Sequence, residues 1–401
     1  MTEEQYQDTL NFTSRLGQAL ARYGAPAHRV EDVLTLLSRD LGVVGVFSAT
    51  PSIIMMEFRG EDRSDVRLER VYDNDIDLTR LRRLDRLFNQ VAGQEKTPKE
   101  GLQELDRIMN APPRFGTMPT IASFALTSAV SAPFFGGGLG DALMAMIAGL
   151  SVGLIATYGK QQLLLPLGGF VAAFLVALLT PLLGSATDGN AAILGAIIVL
   201  VPGFTITLGV SELVTNNWMA GVSRLGAALV SALMLSFGVV FGHSMGFELV
   251  NDTALPESSA ALPTWVRWTL LPAAVLTISI LFKAPLRQWG WILITSALTF
   301  GTMEASSMVM RPEATVFMGG LVLGCSSNLF ARLKNLPSAI TRMPGLLFLV
   351  PGSLSFLSIR HVMDGNTAEA SQVVGQLVMV AISLVMGMVV AGRLIPPRKA
   401  L

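Results

Sequence analysis

The chain has 401 residues, 51% of them hydrophobic and only 14% charged, and its 29 basic side chains balance its 29 acidic ones. A globular protein of this length has no use for so much apolar surface with so few charges, and a neutral chain without a basic stripe points away from nucleic acid. A single cysteine, Cys325, excludes a disulfide framework and a cysteine-held zinc, and three histidines in the whole chain suggest no metal or cofactor.

The charges are unevenly placed. Residues 1–118 hold 16 of the 29 Lys+Arg and 19 of the 29 Asp+Glu, so the remainder is sparsely charged. A soluble α+β head over residues 1–113 is expected, followed by a membrane body. Within the head, Leu10–Tyr23 reads as a helix stopped at Gly24. Pro26 suits the first turn of a second helix, whose apolar stripe is Val30, Val33, Leu34, Leu37 and Leu41. Val43–Phe58, broken by Pro51, predicts two short strands, and Val66–Tyr72 alternates as a third. Helices near Leu78–Val91 and Pro98–Met109 lead to a Pro112-Pro113 linker. The first thirty residues lack an apolar leader, so the amino terminus is expected in the cytosol.

From Met118 onward, ten apolar segments long enough to cross a bilayer are predicted: 118–136, 140–158, 163–183, 190–210, 220–242, 264–283, 287–303, 313–331, 339–359 and 371–393. With the head inside, ten basic residues fall on the cytosolic side and only Arg267, Arg311 and Arg360 outside, as the positive-inside rule requires. The expected placement is a multi-pass protein of a bacterial cytoplasmic (inner) membrane with both termini cytosolic. Leu200-Val201-Pro202-Gly203 in the fourth segment recurs as Leu349-Val350-Pro351-Gly352 in the ninth, and the same offset pairs Asn217 with Asn366 and Gly226 with Gly375. The body therefore divides at 114–259 and 260–401. Each part holds five spans, an odd number, which predicts a membrane all-α fold of two inverted five-helix repeats. Inverted repeats with matching proline–glycine breaks are the sequence pointer to a secondary transporter.

The Tyr23-Gly24-Ala25 turn followed by His28-Arg29-Val30-Glu31 resembles the opening signature of the threonine/serine exporter family. The charged head, the Pro-Pro linker, the ten spans and the Val-Pro-Gly block in each half extend that resemblance along essentially the whole chain. The resemblance implies proton-driven antiport of a small hydrophilic metabolite bearing a carboxylate: threonine or serine first, with succinate-type dicarboxylates, exported by similar two-chain bacterial proteins, as the alternative. A passive channel is the reading from another class. The expected partners are the small-molecule substrate, a coupling proton and the lipid bilayer, with homo-oligomeric assembly left open.

A helix broken at mid-membrane exposes two half-helix ends that attract a carboxylate and a cation. Pro202, Gly203, Thr205 and Thr207 in one half and Pro351, Gly352, Ser353 and Ser355 in the other are the expected substrate-binding residues, the hydroxyls competing with bonds to their own helices. Ionisable groups in spans are functional candidates by default. For proton coupling or gating, Glu212 stands first, with His361 as its repeat counterpart, then Glu304 and Asp141, with the pair Asn217 and Asn366 as gate or cap. His28 and Glu31, three apart in the head, are read as fixing the helix or the head–membrane contact, and Ser326-Ser327-Asn328 is a further polar cluster. Glycines four apart, Gly149/Gly153, Gly238/Gly242/Gly246 and Gly320/Gly324, point to close helix packing. Gly242-His243-Ser244-Met245-Gly246 fits a nucleophile elbow only in spelling, because that motif needs a strand before it, so no enzyme is expected.

Overall fold

The computed structural model describes residues 2–59, 64–71, 75–159, 161–183, 189–250, 262–349 and 367–396. Helix α1 (Glu3–Arg22) begins earlier than its apolar periodicity announces. Thr2 and Gln5 form a reciprocal capping box, which stabilises a first turn made only of polar residues. Gly24, at φ +100°, turns the chain into α2 (Ala27–Asp40), a conformation that a side chain would strain. Strands β1 (Val44–Ala49), β2 (Ile53–Arg59) and β3 (Ser64–Arg70) form an antiparallel meander in that order. Ile54, Met56 and Phe58 face inward from β2 onto Leu10, Leu16, Leu34 and Leu37. Helices α3 (Leu78–Ala92) and α4 (Pro98–Asn110) complete the head, the latter opened by a Thr97–Glu100 capping box.

The body is helical throughout its described residues. Its helices are α5 (Thr117–Phe134), α6 (Leu139–Tyr158), α7 (Gln161–Leu183), α8 (Gly189–Ile197), α9 (Gly203–Val214) and α10 (Trp218–Val250). They continue with α11 (Thr264–Leu281), α12 (Trp289–Ser307), α13 (Pro312–Lys334), α14 (Ala339–Leu346) and α15 (Thr367–Leu394). Each expected apolar segment contains helix among its described residues, with turns at 198–202 in the fourth and 347–349 in the ninth. Among the described residues, four helical stretches are long and apolar enough to cross a membrane: Leu139–Tyr158, Trp218–Gly242, Pro312–Lys334 and Ser371–Leu394.

The faces of these helices are arranged for lipid. On α6 the exposed side chains are Leu139, Leu143, Ile147, Leu150 and Leu154, while Ala145, Ala148, Gly149 and Gly153 turn inward. An apolar stripe outside and a small-residue stripe inside inverts the pattern of a water-soluble helix, where the stripe of leucines would be buried. Gly149 lies against Ser128 and Phe124 of α5, Gly320 against the Leu384 carbonyl of α15, and Gly324 against Ala391, so glycines at four-residue spacing serve close packing.

The two halves repeat the same contacts. Helix α8 stops at Ile197 and α14 at Leu346, at equivalent positions of the sequence repeat. Each is followed by three turn residues, with Leu200 N–H donating to Ile197 O at 2.8 Å and Leu349 N–H to Leu346 O at 2.9 Å. Gly168 packs on Leu200 as Gly319 packs on Leu349. A Cβ on Gly169 would stand 2.6 Å from the Leu235 carbonyl oxygen, and one on Gly320 would stand 2.6 Å from that of Leu384. The sequence repeat is thus also a packing repeat around both helix ends.

Candidate functional site

Pro202 supplies no amide hydrogen, and the helix running through the fourth apolar segment is interrupted between Ile197 and Gly203. The first amides of α9 consequently have no upstream carbonyl within their helix. Around this break lies a cavity of about 510 Å³. Its walls come from α5 (Thr127, Ser131, Phe134), the break itself (Ile198 to Pro202), the first turn of α9 (Phe204, Thr205) and Ser231 of α10. Helix α11 contributes Arg267, Ala274, Ile278 and Leu281, a single face, and α12 contributes Phe300 and Glu304. Leu347 and Phe348, the turn after α14, also line it, so the break after α8 and the end of α14 open on one space.

The polar content of this space is specific. Arg267 Nη1 stands 3.8 Å from Glu304 Oε1, an ion pair longer than a hydrogen bond, and both side chains are only about a third exposed (29% and 33%). Arg267 Nε and Thr127 Oγ1 are buried and have no hydrogen-bond partner among the described residues. Unsatisfied buried donors of this kind call for an occupant. Aromatic rings enclose the rest: Phe134 meets Phe300 edge-on at 5.6 Å, and Trp268 meets Phe300 at 5.0 Å.

The head closes one end. Ile76, just before α3, lines the cavity beside Phe282 and also packs against Gly24, where a Cβ would sit 3.5 Å from it. Leu78 N–H donates to Phe282 O at 3.1 Å, and Thr79 donates to Lys283 O from both its N–H (3.1 Å) and its hydroxyl (2.6 Å). The orphan donors opening α3 therefore satisfy the orphan acceptors that close α11. Lys283 pairs with Asp75 across the same junction. From Phe282 to Arg267 is fifteen residues of helix, roughly 22 Å at 1.5 Å per residue. The cavity runs from the head to an ion pair near the opposite end of α11.

The expected residues fall in several places. Pro202 and Thr205 line the cavity. Gly203 is buried at the start of α9, and the Thr207 hydroxyl donates to its carbonyl at 3.1 Å, the in-helix bond that competes with ligand binding. Glu304 lines the cavity opposite Arg267. Asp141 is fully buried at the start of α6, its carboxylate accepting from Gly138 N–H at 2.8 Å. Pro351, Gly352, Ser353, Ser355, His361 and Asn366 lie outside the described residues. Ser244 lies in the middle of a helical turn of α10 and donates to Val240 O at 3.0 Å, without the strand an elbow requires. In the polar cluster on α13, Asn328 donates to Ile395 O at 2.8 Å, tying α13 to the end of α15.

Glu212 sits away from the cavity, at the seam between head and body. It is fully buried, receives Arg224 Nε at 2.8 Å on one oxygen and Ala27 N–H at 3.0 Å on the other. Asn217 is its neighbour in this seam and donates to Glu31 Oε2 at 2.9 Å, while Glu31 Oε1 takes Ala49 N–H at 2.7 Å. His28 completes the seam. Burial pushes its imidazole down to about 3, and the Arg29, Arg342 and Arg224 guanidiniums add to that effect, so it is neutral at any ordinary pH. The Tyr23-Gly24-Ala25…Glu31 signature thus builds a latch. Tyr23 is held from the other side by Arg80, whose Nη1 donates to its hydroxyl at 3.0 Å.

Reading by residue type missed Arg267, Thr127 and Ile76. Arg267 was counted as an external charge, yet a signal was present: one basic and one acidic residue inside spans of the same half are costly to insert unless they meet.

A family model described as "Putative threonine/serine exporter" matches residues 11–246, and another, "Threonine/Serine exporter, ThrE", matches residues 269–393. Among curated relatives, Pheromone-regulated membrane protein 10 of Kluyveromyces lactis is 26% identical over 357 residues, 86% of this chain and 37% of the relative. The protein of the same name in Saccharomyces cerevisiae is 24% identical over 356 residues, 86% of this chain and 46% of the relative. An uncharacterized protein of Schizosaccharomyces pombe is 26% identical over 382 residues, 89% and 50% respectively. The chain thus spans half or less of the length of these relatives. No solved structure matches it.

Proposed function

Because the chain belongs to the threonine/serine exporter family, we propose that its cavity carries threonine or serine out of the cell in exchange for protons. The observation that carries this reading is the Arg267–Glu304 pair, at 3.8 Å, in a space otherwise lined by a few hydroxyls and by aliphatic and aromatic side chains. An α-amino acid is a zwitterion, and each of its charges has a counterpart there. The Arg267 guanidinium takes the carboxylate, with its unpartnered Nε as a ready donor, and the Glu304 carboxylate takes the ammonium. The substrate hydroxyl finds Thr127, Ser131, Thr205 and Ser231, and the amides opening α9 supply further donors to the carboxylate. Arg267 is the one cation lining the cavity among the described residues, which suits one carboxylate better than two.

Coupling follows from the same pair. When Glu304 is ionised it holds the substrate ammonium while Arg267 holds the carboxylate; when it takes up a proton from outside, the ammonium loses its counter-ion, the substrate is released, and the proton is carried inward on the return step. Glu304 serves this role better than Glu212, whose two oxygens are engaged in the seam. The reading includes ten membrane crossings in two oppositely directed halves, the head and both termini in the cytosol of a bacterial inner membrane, and Ile76 as part of a cytosolic closure. The recurrence of the Ile197 and Leu346 helix ends supports it.

The test is reconstitution in liposomes with threonine, serine and succinate flux followed with and without an imposed pH gradient. Saturable threonine and serine flux driven by the gradient is expected. Succinate moving faster than threonine would replace the substrate, and unsaturable flux indifferent to the gradient would make the protein a channel.

A further inference from the structure

We propose that the head carries a second binding site, for a phosphate-bearing anion, in the cleft between α3 and α4. The cleft encloses about 340 Å³, near the lower end of small-molecule pockets. Arg83, Arg86 and Gln90 project into it from one face of α3, Lys96 from the connecting turn, and Arg107 with Glu104 from α4. Four cations against one carboxylate leave the lining with a net charge of +3. Only Arg107 has an acidic partner, Glu104 at 3.3 Å; Arg83, Arg86 and Lys96 have no ion pair among the described residues.

Elsewhere in the head several cations have acidic partners, Arg15 with Asp106, Arg59 with Glu57, Lys99 with Glu4 and Arg80 with Asp77, whereas Arg39 and Arg82 have none among the described residues. What sets Arg83, Arg86 and Lys96 apart is that they gather around a single concavity and direct their charge at one shared volume. The walls of a cleft concentrate their field, since all four lie well within a Debye length of about 10 Å of a shared occupant. One carboxylate leaves most of that charge unanswered, whereas a phosphate group brings −1.5 to −2 and three acceptor oxygens, and a diphosphate brings more. Guanidinium forks suit such oxygens bidentately. At the base of the cleft the buried Leu87 and Ile108 offer an apolar contact for whatever carries the phosphate.

The site is independent of the transport cavity in its chemistry but not in its scaffold. Helix α3 forms one wall of the cleft with its middle and carboxyl-terminal half and is anchored to α11 by its amino-terminal half. The ligand is a soluble phosphoester or an anionic phospholipid headgroup, and the shared phosphate chemistry is what the cleft reads.

Two measurements on the full-length protein test this. Calorimetric titration of pyrophosphate into protein in neutral detergent addresses a soluble source. Co-purification of phosphatidic acid from vesicles of phosphatidylcholine with phosphatidic acid addresses a lipid source. Binding in at least one arm is expected, weakened roughly tenfold or more by Arg83→Ala with Arg86→Ala, the scale of losing one charge-assisted hydrogen bond. Glu104→Gln should tighten it, and Arg82→Ala, on the same helix but outside the cleft, should leave it unchanged. Neither pyrophosphate nor phosphatidic acid binding, or binding indifferent to the double substitution, overturns the proposal. Because neither readout involves transport, failure here leaves the exporter reading standing, and failure of that reading leaves this one.

Discussion

In the proposed reading, substrate recognition turns on Arg267. Its guanidinium carries one ion pair at 3.8 Å and a buried Nε without a partner, so much of its hydrogen-bonding capacity is free for a ligand. Arg267→Ala removes the one cation lining the cavity among the described residues and should lower threonine transport at least about a hundredfold, the effect of losing a charged bidentate contact of roughly 3 kcal/mol. Arg267→Lys keeps the charge but not the fork, and should restore only part of the rate. Glu304→Gln separates recognition from coupling. Threonine exchange between two pools should persist at weakened affinity, whereas net transport driven by a pH gradient should vanish. A Glu304→Gln protein that still concentrates threonine against its gradient would remove Glu304 from the coupling step.

At the scale of elements, the break between α8 and α9 and the turn that ends α14 open the cavity. Gly203 follows Pro202 at the start of α9 and is buried, with its carbonyl engaged by Thr207. Gly203→Val places a β-branched side chain in that packed turn and should abolish export while the protein still inserts, which surface labelling of the head in cells can establish. Normal export by this variant would mean that the break is only a packing irregularity. This element was legible in the sequence because proline leaves a chemical mark: a missing donor in mid-helix, repeated in register 149 residues later. The helices were legible for a similar reason, since apolar length and periodicity are local properties. Arg267 and Glu304 were visible as residues but not as a pair, because their meeting depends on α11 packing beside α12, and spacing along the chain does not encode it. Ile76 was less legible still. It belongs to a soluble domain by sequence and to the cavity only by docking.

That docking sets a property of the whole molecule. The head's hydrophobic core is continuous with Ala220, Leu271, Val275, Ala339 and Met343 of the body, and its polar seam is closed by Glu212, Arg224, Ala27 and Asn217. Glu212→Ala strands the buried Arg224 charge and the Ala27 amide, and should cost about 3–5 kcal/mol, the usual penalty for breaking a buried pair from one side. It should appear as a lower melting temperature together with easier proteolytic release of the head. The same seam makes stability depend on pH through His28. Its folded-state value, about 3, lies below the unfolded value of about 6.5, so folding requires the neutral imidazole. The His28 contribution is therefore complete above pH 6.5 and is lost as pH falls from 6.5 toward 3, at up to about 1.4 kcal/mol per pH unit. The wild type should consequently lose stability relative to His28→Gln, whose side chain does not titrate, as pH falls from 6.5 toward 3, which melting curves of the two at a series of pH values can read. Profiles that stay parallel from pH 7.5 to pH 5 would mean that the imidazole takes up its proton as readily in the folded protein as in the unfolded chain, and that the seam does not disfavour its charged form.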